Sequence, residues 1–444
     1  MKKVLAFLLV GMLVFGSMAF ASETRIGGLG VQPWQTLDDE AIIYSYVGQL
    51  SNYKNLALIE MDAAYKSWGG ALLGIADTMN LGIIVGKSSG AADGLLASNK
   101  VLFAPGGGLD GVPNATVNSK DVDRLVTGLA IQNQALALYS IDLGDLAVGL
   151  GVAYSSGGSS WENKTADTAK DKYSANARGI DVLAGVTMGG IDVGLSVALP
   201  SVNVAVDEQR WTGTDSVSDN DEKWDASGLL LNIAGRINLG DALITNLGVI
   251  YGSENGKLTI KNDNNNDGDV ADAVDINNEY SGENSLIGVN LGISKEIKGN
   301  TAKAIAGVIL GYELKTAKEG KIKDIIAGVE TKGTETNDST ISLVANLGAE
   351  AKLNETFSVR GGISKQIVSL STTASKDLDY DPVIELSSSE DSTSSPVVSA
   401  GASMNIGSFT LDGIVSTALL LFGPYFIGGI GTGLNTQIAA KYAW

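Results

Sequence analysis

The sequence predicts a transmembrane antiparallel up-and-down β-barrel of about 16 strands, preceded by a small N-terminal plug. Three observations carry this expectation. Strand-length stretches alternate apolar with small or polar residues, tight turns alternate with long polar segments, and the chain ends on an alternating strand closed by Trp444. Strand side chains point to opposite faces with period 2, so such stretches build a sheet with one apolar and one wet face. Short turns on one side and long segments on the other are the topology of bacterial outer-membrane barrels.

Composition agrees. The 444 residues carry 31 Lys+Arg against 50 Asp+Glu, for a net charge of −19, with no His and no Cys. Without these two residues there is no Ser-His or Cys-His nucleophile pair, no imidazole or thiolate metal site and no disulfide framework, so an enzyme is not expected. Gly is frequent at 56 residues while Pro numbers only 7, which fits neither collagen nor a Pro-rich linker. The acidic balance disfavours nucleic acid as a partner.

Residues 1–21 read as a signal peptide. Lys2 and Lys3 are followed by an apolar run from Leu5 to Phe15, and Ala19-Phe20-Ala21 supplies the small-x-small cleavage pattern. Export places the mature protein outside the inner membrane, and the barrel pattern makes the bacterial outer membrane its expected destination. Residues 22–54 form a periplasmic or plug segment, and residues 55–444 the barrel.

Within the barrel the clearest strand is 341–353. Ile341, Leu343, Ala345, Leu347, Ala349, Ala351 and Leu353 share the lipid face, and Ser342, Asn346, Gly348, Glu350 and Lys352 the wet one. The next strand repeats the pattern with Phe357, Val359, Gly361, Ile363 and Ile367 against Ser358, Arg360, Gly362, Ser364 and Gln366, after a tight turn at Asn354-Glu355. Further tight turns fall near Asp77-Thr78, Gly144-Asp145, Gly189-Gly190, Gly240-Asp241, Gly299-Asn300 and Ile406-Gly407. Between them lie polar segments at 88–131, 157–175, 204–224, 256–281, 317–337 and 372–395, read as external loops. The count falls to 14 if the short pair around 69–87 does not form. Residues 413–440 carry no charge until Lys441, but Pro424 and five nearby glycines argue for two strands and a turn over a membrane helix. A secreted β-sandwich would share the composition, yet it has no reason for strict short/long alternation.

Parity places Asp181, Asp192, Arg236, Glu296, Lys303, Glu350 and Arg360 toward the lumen. At the C-terminus, Tyr442 and Trp444 form an aromatic ending that resembles the last strand of outer-membrane proteins. That resemblance implies recognition by the barrel-assembly machinery, and both rings also suit the periplasmic aromatic girdle.

Residues 24–65 resemble the start of the outer-membrane fatty-acid and hydrophobic-compound transporter family. Arg25, Gly27, Gly28, Leu29, Gly30, Asp38, Asp39 and the run Ser51-Asn52-Tyr53-Lys54-Asn55-Leu56 carry the likeness, while the family's Asn-Pro-Ala position reads Ile43-Tyr44-Ser45-Tyr46. The resemblance implies an N-terminal plug and sideways escape of substrate through a kinked strand. Against a tunnel for hydrophobes stand the few aromatics, 6% of residues, and wet faces rich in Gly, Ala, Ser and Asn. A porin-like channel for passive diffusion of small solutes therefore ranks first, hydrophobic-compound or fatty-acid uptake second, and a surface adhesin or structural barrel without transport third. Partners are outer-membrane lipid, the assembly machinery and small solutes; homo-oligomers stay open.

No cofactor is expected beyond calcium in one loop. Asp263, Asn265, Asp267 and Asp269, with Gly268, occupy the early ligand positions of an EF-hand-type loop, but Val274 stands where its bidentate Glu belongs. A hydrated Asn/Asp/Gly turn that binds nothing is the alternative. Three segments (204–224, 256–281 and 372–395) carry net charges of −4, −4 and −5, which would form a cation-enriching vestibule.

Overall fold

A computed structural model describes residues 23–36, 39–61, 67–86, 133–165, 169–212, 215–262, 276–324, 329–331, 333–377, 385–391, 396–415 and 436–444. The signal peptide, the 88–131 segment, the calcium-type run with Asp263, Asn265, Asp267 and Asp269, and the Gly423-Pro424 turn lie outside the described residues.

Eighteen strand segments form one closed sheet. They are β1 (Leu56–Met61), β2 (Ser67–Ala76), β3 (Met79–Val85), β4 (Asn133–Asp142), β5 (Leu146–Thr165), β6 (Ala169–Met188), β7 (Ile191–Thr212), β8 (Asp215–Asn238) and β9 (Leu243–Asn262). There follow β10 (Ile276–Lys298), β11 (Ala302–Asp324), β12 (Val329–Thr331), β13 (Thr334–Lys352), β14 (Phe357–Asp377), β15 (Glu385–Asp391), β16 (Val397–Ile406), β17 (Phe409–Val415) and β18 (Thr436–Ala443). Every pairing is antiparallel, each joins strands adjacent in sequence apart from β11 with β13 and β14 with β16, and β1 closes on β18. Segments β12 and β13 both pair with β11, and β15 and β16 both pair with β14. Each of these two pairs of segments lies along one stave, so the 18 segments make 16 staves.

The alternation does what strand geometry requires. Leu347 is 53% exposed on the outside while Asn346 is 5% exposed on the inside. Ile83, Leu150, Val182, Leu195, Leu247, Leu291 and Leu310 continue the outward apolar belt on other strands. A belt of this kind has no stable place except against lipid. Leu347→Arg is accordingly expected to cost about 2–4 kcal/mol in unfolding titrations from lipid vesicles. A loss below about 1 kcal/mol would contradict its lipid-facing position.

The polar segments differ from the sequence expectation. Most of 157–175, 204–224 and 317–337 is strand, not loop, and β8 reaches 24 residues. A barrel strand needs only about 9–11 residues to cross a bilayer. Beyond the apolar belt the ladder hydrogen bonds carry the strands onward in water, where no hydropathy signal is needed. The turns agree throughout: all seven expected tight turns join adjacent strands, with Gly144, Gly189, Gly190, Gly240 and Gly407 at positive φ.

Both ends of the barrel domain lie with these turns, since the Trp444 N–H donates to the Asn55 carbonyl at 3.1 Å. The Tyr442 and Trp444 rings stack outward at 6.1 Å and 23°. Trp444→Ala should lower the yield of heat-modifiable folded barrel in the membrane, because it removes a girdle anchor. Undiminished yield would make this ending incidental.

Residues 23–36 and 39–54 sit inside the barrel. They comprise helix α1 (Glu23–Leu29) and 3-10 turns at Pro33–Gln35, Glu40–Tyr44 and Val47–Tyr53. Ile26, Leu29, Ile42, Ile43, Tyr46, Val47 and Leu50 are at most 3% exposed, an arrangement that a peptide in solution could not sustain.

Candidate functional site

The interior at the turn end has two unlike parts. On β1 to β6 the inner wall carries an apolar band: Leu58, Leu72, Ile84, Leu136, Leu138, Ala153 and Leu183 pack with Ile26, Leu29, Ile43, Val47 and Leu50 in one cluster. The sequence reading missed this band. In β3 and β4 both faces carry apolar residues, so period 2 gives no contrast to read. The apolar inner surface continues outward on β6 to β8 through Ala175, Ala177, Val202, Val204, Trp224 and Ala226, all at most 5% exposed.

The remaining wall, β7 to β18, holds most of the buried charges, with Glu60 on β1 and Asp181 on β6 the others among the described residues. Asp192 and Arg236 pair across β7 and β8, with Nε to Oδ2 at 2.7 Å and Nη2 to Oδ2 at 2.6 Å. The same carboxylate accepts from Gln49 Nε2 at 2.6 Å and from Thr187 Oγ1 at 2.7 Å. Arg236 Nη1 donates to the Thr36 carbonyl at 3.0 Å, and its guanidinium lies 5.6 Å from the Tyr46 ring centroid. Tyr46 OH accepts from Asn246 Nδ2 at 2.8 Å, and burial makes its hydroxyl a weaker acid than an ordinary phenol, pushing its pKa well up.

A second network spans β10 to β18. Arg25 bridges Asp39 at 3.1 Å and Glu350 at 3.0 Å. Lys303 lies 3.6 Å from Glu296 and 3.7 Å from Glu350. Arg360 pairs with Asp412 and Ser403, and Lys441 with Glu40 and, at 3.5 Å, with Asp412. Of the seven residues proposed for the lumen, six join these two networks. Asp181 is also buried on the inner face, on β6. An open groove of about 470 Å³ lies on the outer, lipid-facing side of the same strands, over Ile297, Ala302, Ala304, Ala349, Ala351 and Val359.

The glycines of the inner face, expected to line water, instead receive backbone. A Cβ at Gly194 would overlap the Ser45 carbonyl oxygen, and those at Gly149 and Gly185 would meet Val47 atoms at 2.5 and 2.6 Å. Side chains of Trp34 and Gln35 fill the space over Gly292 and Gly307, and the Leu29 carbonyl lies over Gly348 and Gly362. Three notches, on β5–β7, β10–β11 and β13–β14, therefore cradle the N-terminal segment. Only glycine permits so close an approach.

Burial, reinforced by Glu40, pushes the Asp39 carboxyl up to about 7 against the opposing pull of Arg25, Lys441 and the Ala41 N–H. A carboxyl raised in this way takes up a proton on docking between about pH 4 and pH 7. Docking should thus weaken as pH rises through that window and level off above it. Protease protection of residues 23–54, followed from pH 5 to pH 8, should fall; a rise across this range would contradict the burial argument.

No family model matches the sequence, and no curated protein does. Among solved structures, the toluene transporter TodX of Pseudomonas putida overlaps at 12% identity over 94% of this chain and 95% of that one, with a TM-score of 0.34. The toluene transporter TbuX of Ralstonia pickettii overlaps at 11% identity over 97% and 100%, with a TM-score of 0.35. The translocator domain of the autotransporter NalP from Neisseria meningitidis does so at 14% identity over 74% and 96%, with a TM-score of 0.28. The closed antiparallel sheet, its outward apolar belt and its short turns make this chain a transmembrane β-barrel of bacterial outer-membrane architecture, with its own residues 23–54 held inside.

Proposed function

We propose that the protein is an outer-membrane channel for small solutes, closed at rest by residues 23–54, and that its preferred cargo is small and apolar. The observation that carries this reading is the apolar cluster joining Leu50, Val47 and Ile43 to Leu72, Ile84, Leu136 and Leu138. A diffusion pore for polar solutes keeps a wetted wall. Here six of the 16 staves carry an apolar band packed against the segment at the turn end. A small hydrocarbon can dissolve into such a seam, whereas a sugar would have to shed its water to enter.

The test pairs two cargoes on the same protein. Proteoliposomes should fail to swell in small sugars, while cells carrying the protein should take up a radiolabelled alkylbenzene faster than cells without it. Rapid swelling in sugars would return the protein to the general-diffusion class. Equal alkylbenzene uptake with and without the protein would remove the apolar cargo.

A further inference from the structure

We propose that residues 23–40 act as a clasp across the seam where the barrel closes, a structural function separate from blocking the lumen and independent of the cargo. The seam is the pairing of β1 with β18, and it joins residues from opposite ends of the barrel domain. Bringing such distant residues together carries the largest loop-closure entropy of any pairing in the sheet. Among the described residues, Leu56 to Met61 oppose Ala443 to Ile438 across it. The pairing most costly to form is the place where the sheet opens most readily.

The N-terminal segment reaches both sides of it. From β1, the buried Glu60 carboxylate accepts from the Thr24 N–H at 2.8 Å and from the Thr24 hydroxyl at 2.7 Å. From β18, Lys441 pairs with Glu40, and from β17, Asp412 lies 3.5 Å from the same ammonium. Between these two anchors, helix α1 lies so near the wall that a Cβ on Gly27 would be 3.2 Å from Ile414 of β17 and 3.8 Å from Gln437 of β18. Charge-assisted bonds shielded from water are the stronger kind, and here one set grips the first strand and another grips the last. Contacts of the same segment with β5 to β8 through Gln49, Val47 and Thr36 lie far from the seam and serve as the internal comparison.

The experiment uses the full chain folded in detergent. Thr24→Val combined with Glu40→Gln loosens both anchors, and Gln49→Leu loosens a buried contact on the opposite wall. Hydrogen exchange is followed in β1 and β18 and, for comparison, in β5 and β6. The clasp variant should raise exchange in β1 and β18 about tenfold with β5 and β6 unchanged. Gln49→Leu should leave the seam as it was. Because the chain has no Cys, Ile59→Cys with Ala440→Cys, direct partners across the seam, can lock it by oxidation. The lock should restore the folded yield of the clasp variant to that of the oxidised parent, which covers the case where the unlocked variant folds poorly. A uniform rise in exchange, no rise in β1 and β18, or a yield defect that the lock does not repair would overturn the proposal.

Discussion

Asp192→Ala is expected to loosen the docked N-terminal segment by about 3–5 kcal/mol, because it leaves the Arg236 guanidinium buried without its counter-charge. Asp192 is 1% exposed and Arg236 4%. The carboxylate gathers Arg236, Gln49 and Thr187 at one point, so its removal strands three donors together. Urea titration of the protease protection of residues 23–54 reads this loss directly. Asp192→Leu combined with Arg236→Met should recover much of it, since a buried pair replaced by apolar groups of similar size is often neutral. A single-variant loss under about 1 kcal/mol would show that the pair is wetter than its burial indicates.

Closing the glycine notch should have a comparably large effect. A Cβ at Gly194 overlaps the Ser45 carbonyl oxygen, and neither partner can yield without moving backbone. Gly194→Val is therefore expected to displace residues 45–48 from the wall. Overpacking of this kind costs about 1–3 kcal/mol and occasionally more. Gly235 is the matched control on the neighbouring strand. Its added Cβ would find nothing nearer than the Leu247 carbonyl oxygen at 3.9 Å, so Gly235→Ala should leave docking unchanged. Equal protease protection in Gly194→Val and the parent would mean that the segment does not rest in this notch.

Much of the barrel was legible in the sequence because lipid on one side of a strand imposes contrast. Leu347 and Asn346 separate by parity alone, and the same parity places Asp192, Arg236, Glu350 and Arg360 inside. The turns were legible through glycine and asparagine. The partners of the buried charges were not. Arg25 meets Glu350 from 325 residues away, and no local pattern encodes that contact. Nor does a glycine in a strand reveal whether water or a backbone carbonyl lies over it, as Gly194 and Gly362 show. The inner faces of β3 and β4 were hidden for a different reason. Leu81 and Ile83 point one way while Ile84, Leu136 and Leu138 point the other, and with both sides apolar the alternation disappears.

The central claim is that this barrel is closed by its own N-terminal segment. Planar-bilayer conductance of the refolded full-length protein tests it most directly. Barrels of 16 staves with an empty lumen leave an aqueous channel. The unaltered protein should remain silent apart from brief openings, and Gly194→Val should conduct steadily. Large, steady, ohmic openings from the unaltered protein would contradict the account.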